Sequence, residues 1–372
     1  MHPCGFAAAV TLIATAPAPT ADWQGGAETN PEDWHAAGNW STGSVPGADD
    51  AVNVVAPSEC NVSGGRAASV GSLKIGCGEH GSLSIQGAGS SLAASGICLG
   101  GYGGYGKGAL MQSNGTVTVT GRMSIGHGAG VDGHGTYHAT GGTLTVSDTL
   151  SVGAGYIAAS NSGNGELHVD GAAVSVESVY SGSGTIEGLG RGHGAIRVTA
   201  GSLRVAGDFF NSHHMWAAAL PPGERHRGHL VVSGGNVSIG GDLHNGYGSG
   251  LDTSQVEGVL EVIGAGGTVS IEKDLIQVGG SILVAELAGK DHAVIQVNGN
   301  AALAGCFKVR LAEGYTPASG TWWDIVQTGP DRPGALTGTF SKLDFSAVGG
   351  PENWKVRYDT DDGAFRVRYV GK

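Results

Sequence analysis

Aromatic and charged residues are scarce in this chain, at 6% and 14% of its 372 residues. Lys and Arg number 20 against 32 Asp and Glu, which gives a formal net charge of −12 at pH 7. A nucleic-acid-binding surface needs clustered cations to neutralise phosphates, so this balance argues against a nucleic-acid partner. No apolar stretch is long enough to cross a bilayer, so we also expect no membrane span.

Sequence signatures of familiar catalytic and metal sites are missing as well. The chain contains no G-x-S-x-G, P-loop or HExxH motif and no Cys-x-x-Cys pair. Such motifs position nucleophiles, phosphate-binding amides and zinc ligands. We therefore predict no catalytic residue, no cofactor and no metal site.

Cysteine is too sparse to build a disulfide framework. Removal of an export signal would leave Cys60, Cys77, Cys98 and Cys306. Cys60 and Cys77 fall in or near the first repeat described below. A disulfide between these two and free thiols throughout are the two alternatives.

Glycine, by contrast, is abundant, with 70 residues or about a fifth of the chain, against a usual share of about 7%. There is no Gly-X-Y period, which excludes collagen. Glycine adopts positive φ without strain, so a glycine-rich chain can turn many tight corners.

A short motif of alternating apolar residues followed by glycine recurs about eight times, 24 to 34 residues apart. Its copies are Leu73–Gly76, Ile97–Gly100, Met123–Gly126 and Leu150–Gly153, and more loosely Val179–Gly182, Phe209–Ser212, Leu243–Gly246 and Ile276–Gly279. Two further motifs with alternating inward and outward residues precede each copy, such as Leu110–Gln112 and Val117–Val119 before Met123. Each unit is too small to fold alone, which is typical of a solenoid.

The repeat predicts an all-β fold, a right-handed parallel β-helix with three strands per coil. Residues separated by one position share a strand face, so the apolar members point inward. Equivalent residues of successive coils should then stack in columns, for example Leu83, Leu110, Tyr137, Leu167, Ile196, Leu230 and Leu260.

Four segments follow from these patterns. We expect a signal peptide over residues 1–21, a Trp-rich N-terminal cap over 22–57, solenoid repeats over 58–280 and a small antiparallel β cap over 281–372.

Phe6–Ala16 is a short apolar run followed by small residues, typical of an export signal, although no Lys or Arg precedes it. A disordered Ala/Pro-rich terminus is the alternative. Export implies a secreted, extracellular or cell-surface location.

The sequence resembles a group of secreted bacterial proteins in its L-x-V-G motifs and in the segment that contains Trp34, Asn39-Trp40 and Val45–Asp50. These carry the repeat associated with type V secretion and PEP-CTERM systems. The resemblance implies an exported parallel β-helix like an autotransporter passenger. The chain departs from it at the end, where Gly371-Lys372 shows no PEP motif, membrane helix or barrel, so we do not expect anchoring by those routes.

The third corner of each repeat lengthens along the chain and should form one edge of the rod. Insertions on a common edge often make the binding face of a repeat protein. The longest is Ser212–Arg227, where Glu224 is the one carboxylate, so acid–base catalysis is not expected. We predict ligand contacts from an aromatic surface, hydrogen-bond donors and a cation supplied by His213, His214, Trp216, His226, Arg227 and Tyr247. A lid packed on its neighbouring coils is the alternative.

Two other groups of residues have a structural and a functional interpretation. Asp208, Asp242 and Asp274 recur before the third strand, either as turn residues or as an acidic cluster. Trp322, Trp323 and Trp354 lie near the C-terminus, either as the core of the closing segment or as a ligand surface.

The favoured function is a non-enzymatic structural or adhesive β-solenoid that binds an extracellular glycan or a surface protein. End-to-end self-association is a further expected interaction, because a solenoid end exposes unpaired backbone groups. The alternative is a polysaccharide-active enzyme, lyase- or hydrolase-like, acting along the insertion edge. Fold alone does not separate these functions.

Overall fold

The computed structural model describes residues 20–55, 58–101, 106–129, 133–156, 162–184, 191–214, 220, 223–248, 255–289, 292–329 and 335–371. In these ranges the chain is all-β, as the sequence predicts. One mixed sheet contains 29 strands. The helical turns in the described part are short 3-10 segments, Ala37–Asn39, Ser346–Val348 and Pro351–Asn353.

The first part of the chain forms the strands β1 Thr20–Asp22, β2 Ala51–Val54, β3 Cys60–Val62, β4 Ala67–Ile75, β5 His80–Ile85, β6 Ser91–Gly101, β7 Gly106–Gln112, β8 Thr116–Val119, β9 Met123–Ala129 and β10 Gly133–Ala139. The middle forms β11 Thr143–Tyr156, β12 Gly163–Gly184, β13 Gly192–Val205, β14 Phe209–His214, β15 His226–Val232, β16 Asn236–Ile239, β17 Leu243–Gly248, β18 Val256–Ile263, β19 Thr268–Ile271 and β20 Leu275–Gln277.

The last part forms β21 Ile282–Leu287, β22 Ile295–Val297, β23 Ala301–Leu303, β24 Cys306–Leu311, β25 Trp322–Thr328, β26 Leu336–Gly338, β27 Lys342–Asp344, β28 Trp354–Asp359 and β29 Ala364–Tyr369.

Equivalent strands of successive repeats pair in parallel, which makes the molecule a β-solenoid. Tyr137 is in register with Leu110 on one side and with Leu167 on the other. The same register continues through Ile196, Leu230 and Leu260, and every member of the predicted column is buried. The core is thus a set of parallel apolar columns along the rod.

One inward column changes from apolar to polar halfway along the rod. Val152 is in register with Ser181, and the column continues with buried Asn211, Asn245 and Gln277. The Asn211 amide donates to Asn245 Oδ1 at 2.8 Å and to the Val259 carbonyl at 2.8 Å. These hydrogen bonds satisfy both donors of the Asn211 amide, which would otherwise destabilise the core.

This column explains one error in the predicted repeat. The alternation placed Ile276 and Val278 inward, but Leu275 and Gln277 are the residues in register with Leu243 and Asn245. The true strand is therefore shifted by one residue. A hydrophobic pattern cannot find an inward glutamine whose amide is satisfied by the neighbouring coils.

A column of residues with a left-handed backbone conformation, with positive φ, lies where the third strands of successive coils turn. Gly126 has φ 72°, and a Cβ built on it would lie 1.8 Å from the Asn164 carbonyl oxygen. The backbone of a later coil thus passes directly over this position, and glycine is required for space as well as for φ. Ser212 occupies the equivalent position with φ 69°, and its hydroxyl donates to the His226 carbonyl at 2.9 Å.

Parallel stacking begins before the first recognisable repeat and extends beyond the last. β1 pairs with β2, and β2 pairs with β4, all in parallel. Trp23, Trp34 and Trp40 are buried beside these strands, and the ring centroids of Trp23 and Trp34 lie 5.0 and 4.7 Å from that of Trp40.

At the other end, parallel pairing continues to β27, whose partner is β24. β29 pairs antiparallel with both β25 and β28, and β28 and β29 form a hairpin. Trp323 and Trp354 are buried, but Trp322 is 42% exposed. Adjacent residues of a strand face opposite sides, so Trp322 points outward, under the guanidinium of Arg368 at 5.5 Å.

Candidate functional site

A shallow groove of about 260 Å³ crosses four coils where the first strand of each coil begins. Four of its polar side chains come from one outward column, in which His134, Asn164, His193 and Arg227 are consecutive register partners. The residue after each of them is glycine, because a Cβ there would meet the backbone of the third-strand turn; at Gly135 it would lie 2.2 Å from the Gly126 nitrogen. We call this column and the groove along it the polar edge.

Carboxylates offset most of the positive charge near the polar edge. Arg191 forms an ion pair with Glu224 at 2.6 Å. Glu257 contacts Arg225 at 3.2 Å and Arg227 at 3.7 Å. The Arg227 side chain is still 59% exposed, so a guanidinium remains available to a ligand.

His193 contributes a neutral imidazole to the groove. Burial lowers its pKa, and the nearby charges of Arg227 and Arg191 lower it further. A neutral ring offers one donor and one acceptor nitrogen, which suits hydroxyl recognition. Glu166 also lines the groove, and its carboxylate lies 2.9 Å from Nε2 of His168.

A second groove of about 530 Å³ follows along the same edge of the rod. Arg225 and Glu257 lie at its near end, and Ser281, Cys306 and Lys342 line it further on. The strands that begin there, β18, β21, β24 and β27, stack in register. The two grooves therefore follow one line parallel to the rod axis, with the Arg225–Glu257–Arg227 cluster between them.

Three of the predicted contact residues are buried rather than presented to solvent. His213, His214 and His226 are 3%, 6% and 0% exposed. They belong to the coil itself, because His213 and His214 end β14 and His226 begins β15. Arg227 lies on the polar edge, Tyr247 is half-buried, and Trp216 lies outside the described residues.

The buried histidines form a hydrogen-bonded pair with assignable tautomers. The Gly192 amide donates to Nδ1 of His226 at 3.2 Å, so this nitrogen carries no proton. Nε2 of His226 then donates to Nδ1 of His214 at 2.9 Å. Burial, followed by the neighbouring His214, lowers the pKa of His226 to about 3. The pair is neutral and closes the base of the insertion.

The aromatic residues near the insertion form a ladder instead of an open surface. Phe210 stacks on Tyr180 at 4.8 Å and on His244 at 4.6 Å, with interplanar angles of 10° and 6°. His213 stacks on Tyr247 at 5.1 Å. Stacked rings cover one another's faces, so the flat surface that a sugar would pack against is largely occupied by other rings.

The recurring aspartates serve as turn residues between coils. Asp208 Oδ1 accepts the Asp242 amide at 2.8 Å, and Asp242 Oδ1 accepts the Asp274 amide at 3.0 Å. Asp274 in turn accepts the Asn300 amide at 2.7 Å. Each carboxylate thus satisfies the backbone of the next coil, as one of the two interpretations predicts.

Neither a metal site nor a membrane-spanning helix is found within the described ranges. No group of three or more His, Cys, Asp or Glu side chains there could hold a metal ion. No helix in that part of the chain is long and apolar enough to cross a membrane.

The sequence prediction centred on the Ser212–Arg227 insertion and did not include Asn164, Glu166 or Glu257. A signal was available for Asn164 and Glu257, since the register of the repeat places both in the column of Arg227. Glu166 lies two residues after Asn164, outside that column, and had no such signal. Comparison of the chain with family models, with curated proteins and with solved structures gives no match.

Proposed function

We propose that the protein is a secreted or cell-surface β-solenoid that binds an extended glycan along the polar edge without converting it. In this proposal the coils form a right-handed parallel β-helix, its ends are covered by the Trp-rich N-terminal segment and the C-terminal hairpin, and its role is adhesive or structural. The resemblance to exported bacterial repeat proteins supports the location.

The alignment of the two grooves carries the proposal. Both are shallow, both are lined by polar groups, and together they follow the rod axis for several coils. A small molecule needs an enclosed pocket that removes most of its surface from water. An extended chain instead gains affinity from many weak contacts repeated at the coil spacing, about 4.8 Å.

The chemistry of the polar edge fits a neutral or weakly acidic sugar chain. Asn164 and neutral His193 can donate and accept hydrogen bonds with hydroxyl groups, and Arg227 can bind a carboxylate or hydroxyl in a forked geometry. Because Glu224 and Glu257 offset the neighbouring arginines, a strongly anionic polymer would gain little.

The test is a glycan array probed with the full chain and with matched variants. Asn164→Ala and Arg227→Ala each remove one groove contact and should reduce the array signal at least tenfold when combined. Arg204→Ala, an exposed position on a second strand, is the control and should bind like the unaltered protein. Binding that survives both groove substitutions would place the site elsewhere.

The alternative is a polysaccharide-active enzyme at the same groove. The observation that favours it is the presence of Glu166 and the neutral imidazole of His193 in one groove, since a carboxyl and a neutral base are the groups that acid–base catalysis uses. Incubation of the array-positive glycan with the protein distinguishes the two. Release of shorter sugars would establish turnover, and an unchanged chain length supports binding alone.

A further inference from the structure

Cys77 and Cys98 bring two thiols together on the outside of successive coils. Cys98 lies on β6 between buried Ile97 and Leu99, so its side chain faces outward. Cys77 lies two residues after Ile75, the register partner of Leu99. Cys77 Sγ lies 3.8 Å from the Cys98 carbonyl oxygen, so the two residues are in contact across neighbouring coils.

The two thiols have unequal acidity. Contact with the Cys98 side chain lowers the pKa of Cys77, and the positive charge of Lys74 lowers it further. The same contact, together with burial, raises the pKa of Cys98. Cys77 is therefore the thiol that ionises first, and Cys98 is the thiol that keeps its proton. This division of roles is the one found in pairs of an attacking and a resolving cysteine.

The other described cysteines lack this arrangement. Cys60 is an inward residue in register with Leu83, is fully buried, and has a pKa raised by burial. Cys306 lies on β24, in register with Ile282 and Lys342. The pairing of Cys60 with Cys77, one of the alternatives from the sequence, is not formed, because Cys60 points into the core.

We propose that Cys77 and Cys98 form a dithiol modification site, which a small disulfide such as oxidised glutathione converts into a disulfide bridge between two successive coils. The Cys77 thiolate attacks one sulfur of the oxidant, and one glutathione thiolate leaves. Cys98 then attacks Cys77 Sγ of the mixed disulfide, and the second glutathione leaves with the proton of Cys98. Two protein thiols are oxidised and one disulfide oxidant is reduced to two thiols.

The bridge would join Cys98, inside the paired third strand of β6, to Cys77, two residues beyond the end of β4. At present this junction is held by backbone hydrogen bonds and by the column of Ile75 and Leu99. A covalent link restricts the unfolded chain and opposes separation of these coils from the rest of the rod. Oxidising surroundings outside the cell would favour the bridged form.

The experiment treats the reduced, folded full chain with oxidised glutathione at pH 7.5 and maps disulfides by digestion without reductant. The expected product is a peptide containing Cys77 linked to one containing Cys98, with the loss of two hydrogen atoms from the intact mass. Cys98→Ser should instead accumulate a glutathione adduct on Cys77, because the resolving thiol is gone. Cys77→Ser should slow the loss of thiols at least tenfold.

Cys306→Ser is the matched control and should form the same linked peptide at the same rate. Lys74→Gln should slow the first step several-fold at neutral pH and less at pH 9, where Cys77 ionises without help. Linkage through Cys60, absence of any linked peptide, or a Cys98→Ser variant that forms no adduct would each overturn the assignment.

Discussion

His214 Nδ1 and His226 Nε2 lie 2.9 Å apart, in a hydrogen bond that joins the last residue of β14 to the first residue of β15. The bond closes the base of the longest insertion with two neutral, buried rings. A short turn cannot replace all of Ser212–Arg227. The structure restricts such a replacement to the residues between the two histidines, since Ser212 and His226 belong to the coil.

Acidification should destabilise the fold before its carboxylates titrate. The pKa values of His213 and His226 are lowered to about 4 and about 3 by burial and by nearby histidines. An unfolded histidine titrates near 6.5, so between these limits the unfolded chain binds more protons and stability falls as pH falls. The contribution of these neutral histidines to the free energy of unfolding is complete above about pH 6.5 and decreases progressively as the pH falls below that value.

Urea unfolding from pH 8 to pH 4.5 measures this effect. The midpoint should decline between pH 6.5 and 4.5. His226→Gln keeps hydrogen-bonding groups without a titrating ring and should flatten the decline. A midpoint that stays constant over this interval in the unaltered protein contradicts the assignment of buried neutral histidines.

The repeat pattern predicted those parts of the fold in which the inward positions of a strand carry apolar side chains. Leu83, Leu110 and Tyr137 lie in one column because alternation forces them inward. Alternation failed at Gln277, where an inward amide is satisfied by the Ala304 carbonyl at 2.8 Å. It also failed for His213 and His226, since His226 accepts a hydrogen bond from the Gly192 amide 34 residues away and His213 stacks on Tyr247 of the next coil.

A charge placed in the core should unfold the rod, and the same charge one residue away should not. Leu150 and Val152 stack on Met123 and Ile125, and all four are buried. Leu150→Asp buries a carboxylate without a partner and should cost about 4 kcal/mol of unfolding free energy. Ser151→Asp faces outward and should cost less than about 1 kcal/mol. Equal losses in urea unfolding would show that the register is wrong.

Two glycines with the same backbone conformation should respond differently to a methyl group. Gly126 and Gly43 have φ of 72° and 68°, but only a Cβ on Gly126 meets another coil, 1.8 Å from Asn164 O. Gly43→Ala should cost about 1 kcal/mol from the left-handed conformation alone. Gly126→Ala should cost more than about 3 kcal/mol because the backbone above it must move. Thermal unfolding of the two variants gives the comparison.

Removal of residues 20–50 should make the protein self-associate. The deletion exposes the outer edge of β2, whose N–H and C=O groups now pair with β1, and takes away buried Trp23, Trp34 and Trp40. An unpaired parallel edge is a template for another chain. Light scattering and electron microscopy should reveal elongated particles that lengthen with concentration. A truncated protein that stays folded and monomeric at high concentration excludes the protective role of this segment.

The column of left-handed residues that turns the third strands, glycine in most coils, makes the coil the unit by which this protein can change in length. One residue added within a strand would turn every later side chain to the opposite face, so apolar groups would enter water and polar groups the core. Duplication of a complete coil, from one such glycine to the next, keeps every column continuous. The rod can therefore be lengthened or shortened in whole coils, and the polar edge would gain or lose ligand contacts in equal steps.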